Sequence, residues 1–244
     1  MKKKAIIISI KSYALSSNEK ILLSKEKPWG LILFKRNIKS VNQLKNLIIK
    51  IRKLTKDSKF PIIIDEEGET VSRLHRIIKN DVSQKLFGDM FIHQPKLSIK
   101  IYKNYINQLC KILRELGINV NTVPVLDVLR KNTNKIIGNR SFSTNPYIVK
   151  KLGQICIDQY KKNKIGTVIK HIPGHGCSKI DSHIKLPKIK LSLNKLKKID
   201  FIPFKFSKSI FAMTAHILYE KIDKFNVATF SKKIINKIIR KEMG

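Results

Sequence analysis

Apolar residues gather in short unbroken blocks, separated by stretches in which they recur every three or four positions. The blocks are Ala5–Ile10, Gly30–Phe34, Pro61–Asp65, Gly117–Asn121, Gly166–Lys170 and Ser209–Thr214. Continuous runs of this kind, unlike an alternating pattern, suit strands whose two faces are both covered. The intervening periods predict helices. Ser40 caps one that carries Val41, Leu44, Leu47, Ile48, Ile51 and Leu54 on one side, and Ser231 caps another with Ile234, Ile235, Ile238 and Ile239. A third runs over 97–116, and Asn145-Pro146 opens a fourth, with proline where its missing N–H is harmless. Strands alternating with helices, undivided by a Gly/Ser linker, predict βα units in a single α/β domain over residues 1–244.

An open doubly wound sheet and a barrel both satisfy that alternation, and the polar residues decide between them. Asp65, Asn121, Asp127, Lys170-His171 and Thr214 to His216 fall at or just beyond the carboxyl ends of different strands. That is where a TIM-like (β/α) barrel assembles its site. Neither a GxGxxG nor a Walker A sequence is present.

Three segments carry candidate chemistry. In PIIIDEEGETVSRL, four acids within five residues require compensation by Arg73, Arg76 or a polar ligand. Asp65 is suited to accept two sugar hydroxyls, with Arg73 beside it or holding the loop, and a magnesium site from Asp65 and Glu67 is the competing reading. The long loop after Asn121 offers Asp127 and Arg140, the arginine best placed for a directional contact to an oxygen-bearing ligand. In KHIPGHGCSKIDSHIKLP, proline and glycine exclude a regular helix, and Lys170 and His171 stand at a strand end. Asp181, two residues before His183, is positioned to fix the imidazole tautomer, and such a histidine both donates and accepts protons near neutrality. Zinc held by His171, His175 and His183 is the competing reading, although the spacing matches no zinc signature.

Composition adds less. Lysine and arginine total 51 against 17 acids, for a net charge of +34. With 43 lysines and 8 arginines spread along the chain, the charge reads as solvated faces, with no specific nucleic-acid patch. Three widely spaced cysteines without CxxC suit a reducing, cytoplasmic compartment. The apolar run near the N-terminus is too short for a membrane span.

GLILFKRNI, IIIDEEG, LRELGINVNTVPVLDV, IGNRSFSTNP, KHIPGHG with DSH, and MTAHI occur in this order over nearly the whole chain. Together they resemble family 3 glycoside hydrolases, in particular the bacterial cytoplasmic β-N-acetylhexosaminidases of peptidoglycan recycling. The resemblance implies a TIM-like barrel, no cofactor and no metal, and a substrate that is an N-acetylglucosamine-containing glycoside or muropeptide. It implies that Asp65, Arg73, Arg140, Lys170 and His171 bind the sugar, and that His183 is the catalytic acid/base partnered by Asp181. Two departures stand out. Where the family usually reads DQEGGRVQR this chain reads DEEGETVSR, so that Glu69 occupies a position open to a positive-φ requirement, and GDRSF is replaced by GNRSF through Asn139. In the family a Ser/Thr-Asp-Asp element after an FDG-containing strand supplies the nucleophile. This sequence ends KEMG. The resemblance therefore implies a C-terminally truncated domain, an incomplete barrel of about six of eight strands, and a complementary C-terminal fragment as partner. A non-catalytic sugar-binding relative and a basic nucleic-acid-binding protein are the alternatives.

Overall fold

The computed structural model describes residues 3–180 and 185–244. Strand β1 (Lys4–Ile8) is followed by a short helix α1 (Ser17–Ile21), which runs into a π-helical turn, and by β2 (Pro28–Leu33). Next come α2 (Val41–Thr55), β3 (Ile62–Ile64), α3 (Gln84–His93), α4 (Pro95–Leu116), β4 (Val120–Asn121) and α5 (Pro146–Lys162). The chain continues through β5 (Gly166–Ile172), β6 (Lys188–Ile189), α6 (Leu193–Lys197), β7 (Phe211–Thr214) and β8 (Leu218–Tyr219), and ends in a π-helical segment, Ile234–Met243.

All six apolar blocks become neighbouring parallel strands, in the order β1-β2-β3-β4-β5-β7. The sheet curls into six strands of a TIM-like barrel, with helices on its outer face. β6 and β8 form a separate two-stranded parallel ladder, which the sequence pattern did not foreshadow because each strand is only two residues long.

The helices follow the local chemistry that predicts them. Ser40 Oγ accepts the Gln43 N–H at 3.2 Å, and α2 buries Leu44, Leu47, Ile48 and Ile51, each such burial contributing about 1.5–3 kcal/mol. Asn145 caps α5 by accepting from the Tyr147 N–H, with Pro146 in the first turn. Helix α3 escapes the sequence pattern because its apolar stripe is short. Its Gly88 lies against Phe142, where a Cβ would come within 1.7 Å of the Phe142 carbonyl oxygen.

Strand β1 departs from expectation. The pattern predicts a strand buried on both faces, yet Ile6 and Ile7 are 52% and 48% exposed. The cause is topological: β1 pairs only with β2 and β7 only with β5, so among the described residues the outer edges of both strands have no strand partner. Between them lies an apolar cavity of about 380 Å³, lined by Ile7, Trp29, Ile63, Val168 and Phe211 among others.

Candidate active site

The carboxyl ends of β3, β4 and β5 bring together most of the polar residues that the sequence singled out. Asp65 follows β3 directly, and the turn after it is held by Glu66. One Glu66 oxygen accepts from the Ser72 hydroxyl and the Arg73 and Leu74 N–H groups at 2.9–3.0 Å, while the other accepts from Asn80 at 2.8 Å. Glu66 is thus the internal support of the loop. The positive φ that the turn needs falls on Gly68, at +130°, where a Cβ would meet the Val82 carbonyl oxygen at 1.9 Å. Glu69 has no such requirement, which explains why it is tolerated there. Its carboxylate accepts a 3.3 Å hydrogen bond from Asn139, so one departure from the family pattern in each of the two segments touches the other.

Glu67 turns inward and is bound by two cations. Arg140 donates to it through Nε at 2.7 Å and Nη2 at 3.0 Å, and Lys170 Nζ reaches it at 2.5 Å. Lys170, only 2% exposed, also donates to the Thr122 hydroxyl at 2.7 Å. Thr122 donates in turn to Asp65 Oδ1 at 2.5 Å, and Arg73 donates to Oδ2 at 2.9 Å. Burial alone would raise both carboxyl pKa values. For Asp65 the Lys170 charge, the Thr122 hydroxyl and Arg73 outweigh it, and for Glu67 the Lys170 and Arg140 charges do so, holding both below the usual carboxylate range. Burial acts against the charged form of Arg140, but the adjacent Glu67 prevails and raises its pKa.

Beside this lattice, Asp127 accepts from His171 Nδ1 at 2.7 Å and from the His175 backbone N–H at 2.6 Å. Burial is again outweighed, here by the two histidines, and the Asp127 pKa is lowered. An ionised carboxylate only accepts, so Nδ1 of His171 donates to it, and Nε2 lies 3.5 Å from Arg140 Nη2. Burial lowers the pKa of His175 despite the nearby Asp127.

These groups line a cavity of about 450 Å³ whose walls include Phe34, Asp65, Arg73, Arg140, Lys170 and His171. All five sugar-binding residues implied by the resemblance therefore converge on one opening. Asp181 and His183 lie outside the described residues. Arg76, offered from sequence as compensation for the acids, instead donates to the Tyr13 hydroxyl at 2.8 Å. Both carboxylates of the competing magnesium reading have cationic partners. Among the described residues no cluster of three or more His, Cys, Asp or Glu side chains is arranged to hold a metal ion.

Several contributors were not assigned a role from sequence. Thr122 links two charged residues, and Gln84 donates to the Val125 and Arg140 carbonyl oxygens, tying α3 to the loop that presents Arg140. His216 Nδ1 lies 2.9 Å from the Thr229 hydroxyl at the end of β7. For Thr122 and His216 the only sequence signal was proximity to a strand end, and Gln84, at the start of α3, carried none. The arrangement alternates fixed cationic donors with carboxylate acceptors in a partly apolar cavity, which suits a neutral, hydroxyl-rich ligand.

Residues 3–244 match the family model described as the glycosyl hydrolase family 3 N terminal domain. The chain belongs to this family. It is 32% identical over 244 residues to beta-hexosaminidase A of Pseudoalteromonas piscicida, covering 91% of this chain and 40% of that protein. It is 31% identical over 243 residues to the beta-hexosaminidase of Neisseria gonorrhoeae, covering 98% of this chain and 66% of that protein. The chain thus spans less than two thirds of the length of either relative. Among solved structures, NagZ from Neisseria gonorrhoeae in complex with N-trifluoroacetyl-D-glucosamine superposes with a TM-score of 0.91 at 29% identity, over 99% of this chain and 72% of that one. A family 3 beta-N-acetylglucosaminidase from Paenibacillus superposes with a TM-score of 0.86 at 25% identity, over 98% of this chain and 45% of that one.

Proposed function

We propose that the cavity binds a terminal N-acetylglucosamine residue and that the chain supplies this part of a β-N-acetylhexosaminidase. The observation that carries the reading is the convergence of Asp65, Arg73, Arg140, Lys170 and His171 on one opening. Likeness to beta-hexosaminidases and to a NagZ bound to a glucosamine derivative supports it. The substrate is an N-acetylglucosamine-containing glycoside, and the muropeptides released in peptidoglycan recycling are the source we favour. Three free cysteines among the described residues fit a cytoplasmic setting.

In the reaction, protonated His183 donates to the glycosidic oxygen as the bond to the anomeric carbon breaks, while a carboxylate forms the glycosyl-enzyme. Deprotonated His183, oriented by Asp181, then takes a proton from water, which releases the sugar. Asp65, Glu67 and Asp127 are each bound by cations or N–H groups and serve to hold substrate and neighbours in place. We assign the attacking carboxylate to a strand-bearing segment that closes the sheet between the free edges of β1 and β7, either joined to this chain or as a complementary fragment.

The test is hydrolysis of a chromogenic β-N-acetylglucosaminide together with calorimetric binding of N-acetylglucosamine. The reading expects binding that is lost in Asp65→Ala, and turnover that is lost in His183→Ala once the closing segment is present. Saturable binding without turnover under that condition would leave a sugar-binding protein without hydrolysis. No binding of any amino sugar would overturn the proposal.

A further inference from the structure

Thr122 stands where a polar site meets an apolar interior. Its backbone N–H donates to the Ile64 carbonyl at 2.9 Å, fixing it at the end of β4 between the strands that carry Asp65 and Lys170. It is 1% exposed. It also lines the apolar cavity shared with Ile63, Val120 and Val168.

The direction of its hydrogen bonds is dictated by its neighbours. An ammonium has no acceptor, so the Thr122 oxygen accepts from Lys170 Nζ at 2.7 Å, and the single hydroxyl proton is left for Asp65 Oδ1 at 2.5 Å. Lys170 Nζ is itself 3.6 Å from that oxygen, too far for a good direct hydrogen bond. With Oδ2 taken by Arg73, the Asp65 carboxylate is gripped on both oxygens, and each keeps a further lone-pair direction for a ligand. Two of the three Lys170 protons go to Thr122 and Glu67, leaving one for the cavity.

We propose that Thr122 is a positioning residue for sugar recognition, its hydroxyl bridging Lys170 to Asp65 so that the Asp65 carboxylate and the Lys170 ammonium face the ligand in a fixed orientation. The proposal rests on the reading of this cavity as an N-acetylglucosamine pocket. Valine reproduces the shape of threonine and suits the apolar wall, so Thr122→Val removes the bridge while retaining the packing. The charged groups facing Asp65 are Lys170 from β5, Arg73 from the loop after β3, and Arg140 from the loop after β4, with Glu67 reached through Lys170.

The experiment titrates the full chain with N-acetylglucosamine by calorimetry across the acid range, for the unaltered protein, Thr122→Val, Thr122→Ser and Asp65→Ala. Thr122→Val is expected to weaken binding by about tenfold, the scale of a lost hydrogen bond to a charged group. It is also expected to move the acid limb of binding to higher pH, because Asp65 loses a donor to its ionised form. Thr122→Ser restores both. If Thr122→Val does not fold, Thr122→Cys, similar in size and a weaker donor, is read in the same two ways. Binding kept in Thr122→Val but lost in Asp65→Ala overturns the positioning role alone. Weakening that leaves the acid limb in place and is not restored by serine assigns Thr122 to packing and overturns it as well. No binding by the unaltered chain overturns the pocket reading, and this proposal with it.

Discussion

His171 and Asp127 form a pair in which the half-buried imidazole donates through Nδ1 to the buried carboxylate at 2.7 Å, orienting the ring so that it lines the cavity. The same carboxylate accepts the His175 backbone N–H, so one aspartate orients a side chain and anchors the loop that follows it. Asp127→Asn presents an amide that accepts on one side only. N-acetylglucosamine affinity is expected to fall by at least about tenfold, through loss of charge-assisted bonds. Calorimetry gives the affinity. An imidazole nitrogen NMR spectrum of His171 unchanged by the substitution would contradict this account.

Arg140→Ala strips Glu67 of its bidentate partner and leaves a buried carboxylate facing Lys170 alone. Breaking a pair of this kind costs about 3–5 kcal/mol. Arg140→Lys keeps the charge but not the two-pronged geometry, so it is expected to recover part of the stability and little of the sugar affinity. Urea unfolding and calorimetry on the two variants separate the effects.

The carboxylates set the acid response. The folded-state pKa values of Asp65, Glu67 and Asp127 lie below their ordinary values of 3.8, 4.5 and 3.8. Their stabilisation is therefore complete above those ordinary values and lost as pH falls through the lower folded ones. Asp200, raised by burial against the opposing Arg130 charge, works the other way: it favours the folded state while protonated and loses that contribution as pH rises through its folded value. Urea midpoints measured from neutral pH downward should fall on the acid side, less steeply in Glu67→Gln. Asp200→Asn should hold its stability better than the unaltered chain as pH rises from the acid range.

Two glycines are required for contact distance. A Cβ at Gly88 would lie 1.7 Å from the Phe142 carbonyl oxygen, and one at Gly176 would lie 1.8 Å from that of Val128. Gly88→Ala is expected to push α3 away from the core and lower stability by about 1–3 kcal/mol or more. Gly176→Ala shifts the loop that carries His175. Its larger effect should therefore be on sugar affinity, and thermal melts set beside binding curves distinguish the two outcomes.

The seam beside β7 should be adhesive. Ile210 is 81% exposed and Phe230 is 76% exposed. The chain is expected to bind a hydrophobic fluorescent dye and to self-associate. Ile210→Lys should reduce both without lowering the melting temperature. Light scattering unchanged by that substitution would place the adhesive surface elsewhere.

The positions of β2, β3, β5 and β7 were legible because each is an apolar run bounded by glycine, proline or a polar end. The grouping of Asp65, Lys170 and His171 followed from their shared place at strand ends. What stayed hidden was pairwise. Nothing in the sequence around Glu67 says that it faces both Arg140 and Lys170, because those partners lie 73 and 103 positions away and meet only through the curl of the sheet. Thr122 was equally silent, since a threonine at a strand end is ordinary until its neighbours are known. The exposure of β1 was concealed because an apolar run reveals a strand's fitness for burial but not whether a neighbour comes to cover it.

Every described residue assigned to sugar recognition descends from β3, β4 or β5 or from the loops directly after them, three adjacent strands near the middle of the sheet. Recognition and bond cleavage are thereby separable. On the proposed reading, a change confined to the rim of the barrel, or to the source of the reactive carboxylate, would leave the residues proposed to hold the sugar in place on these three strands.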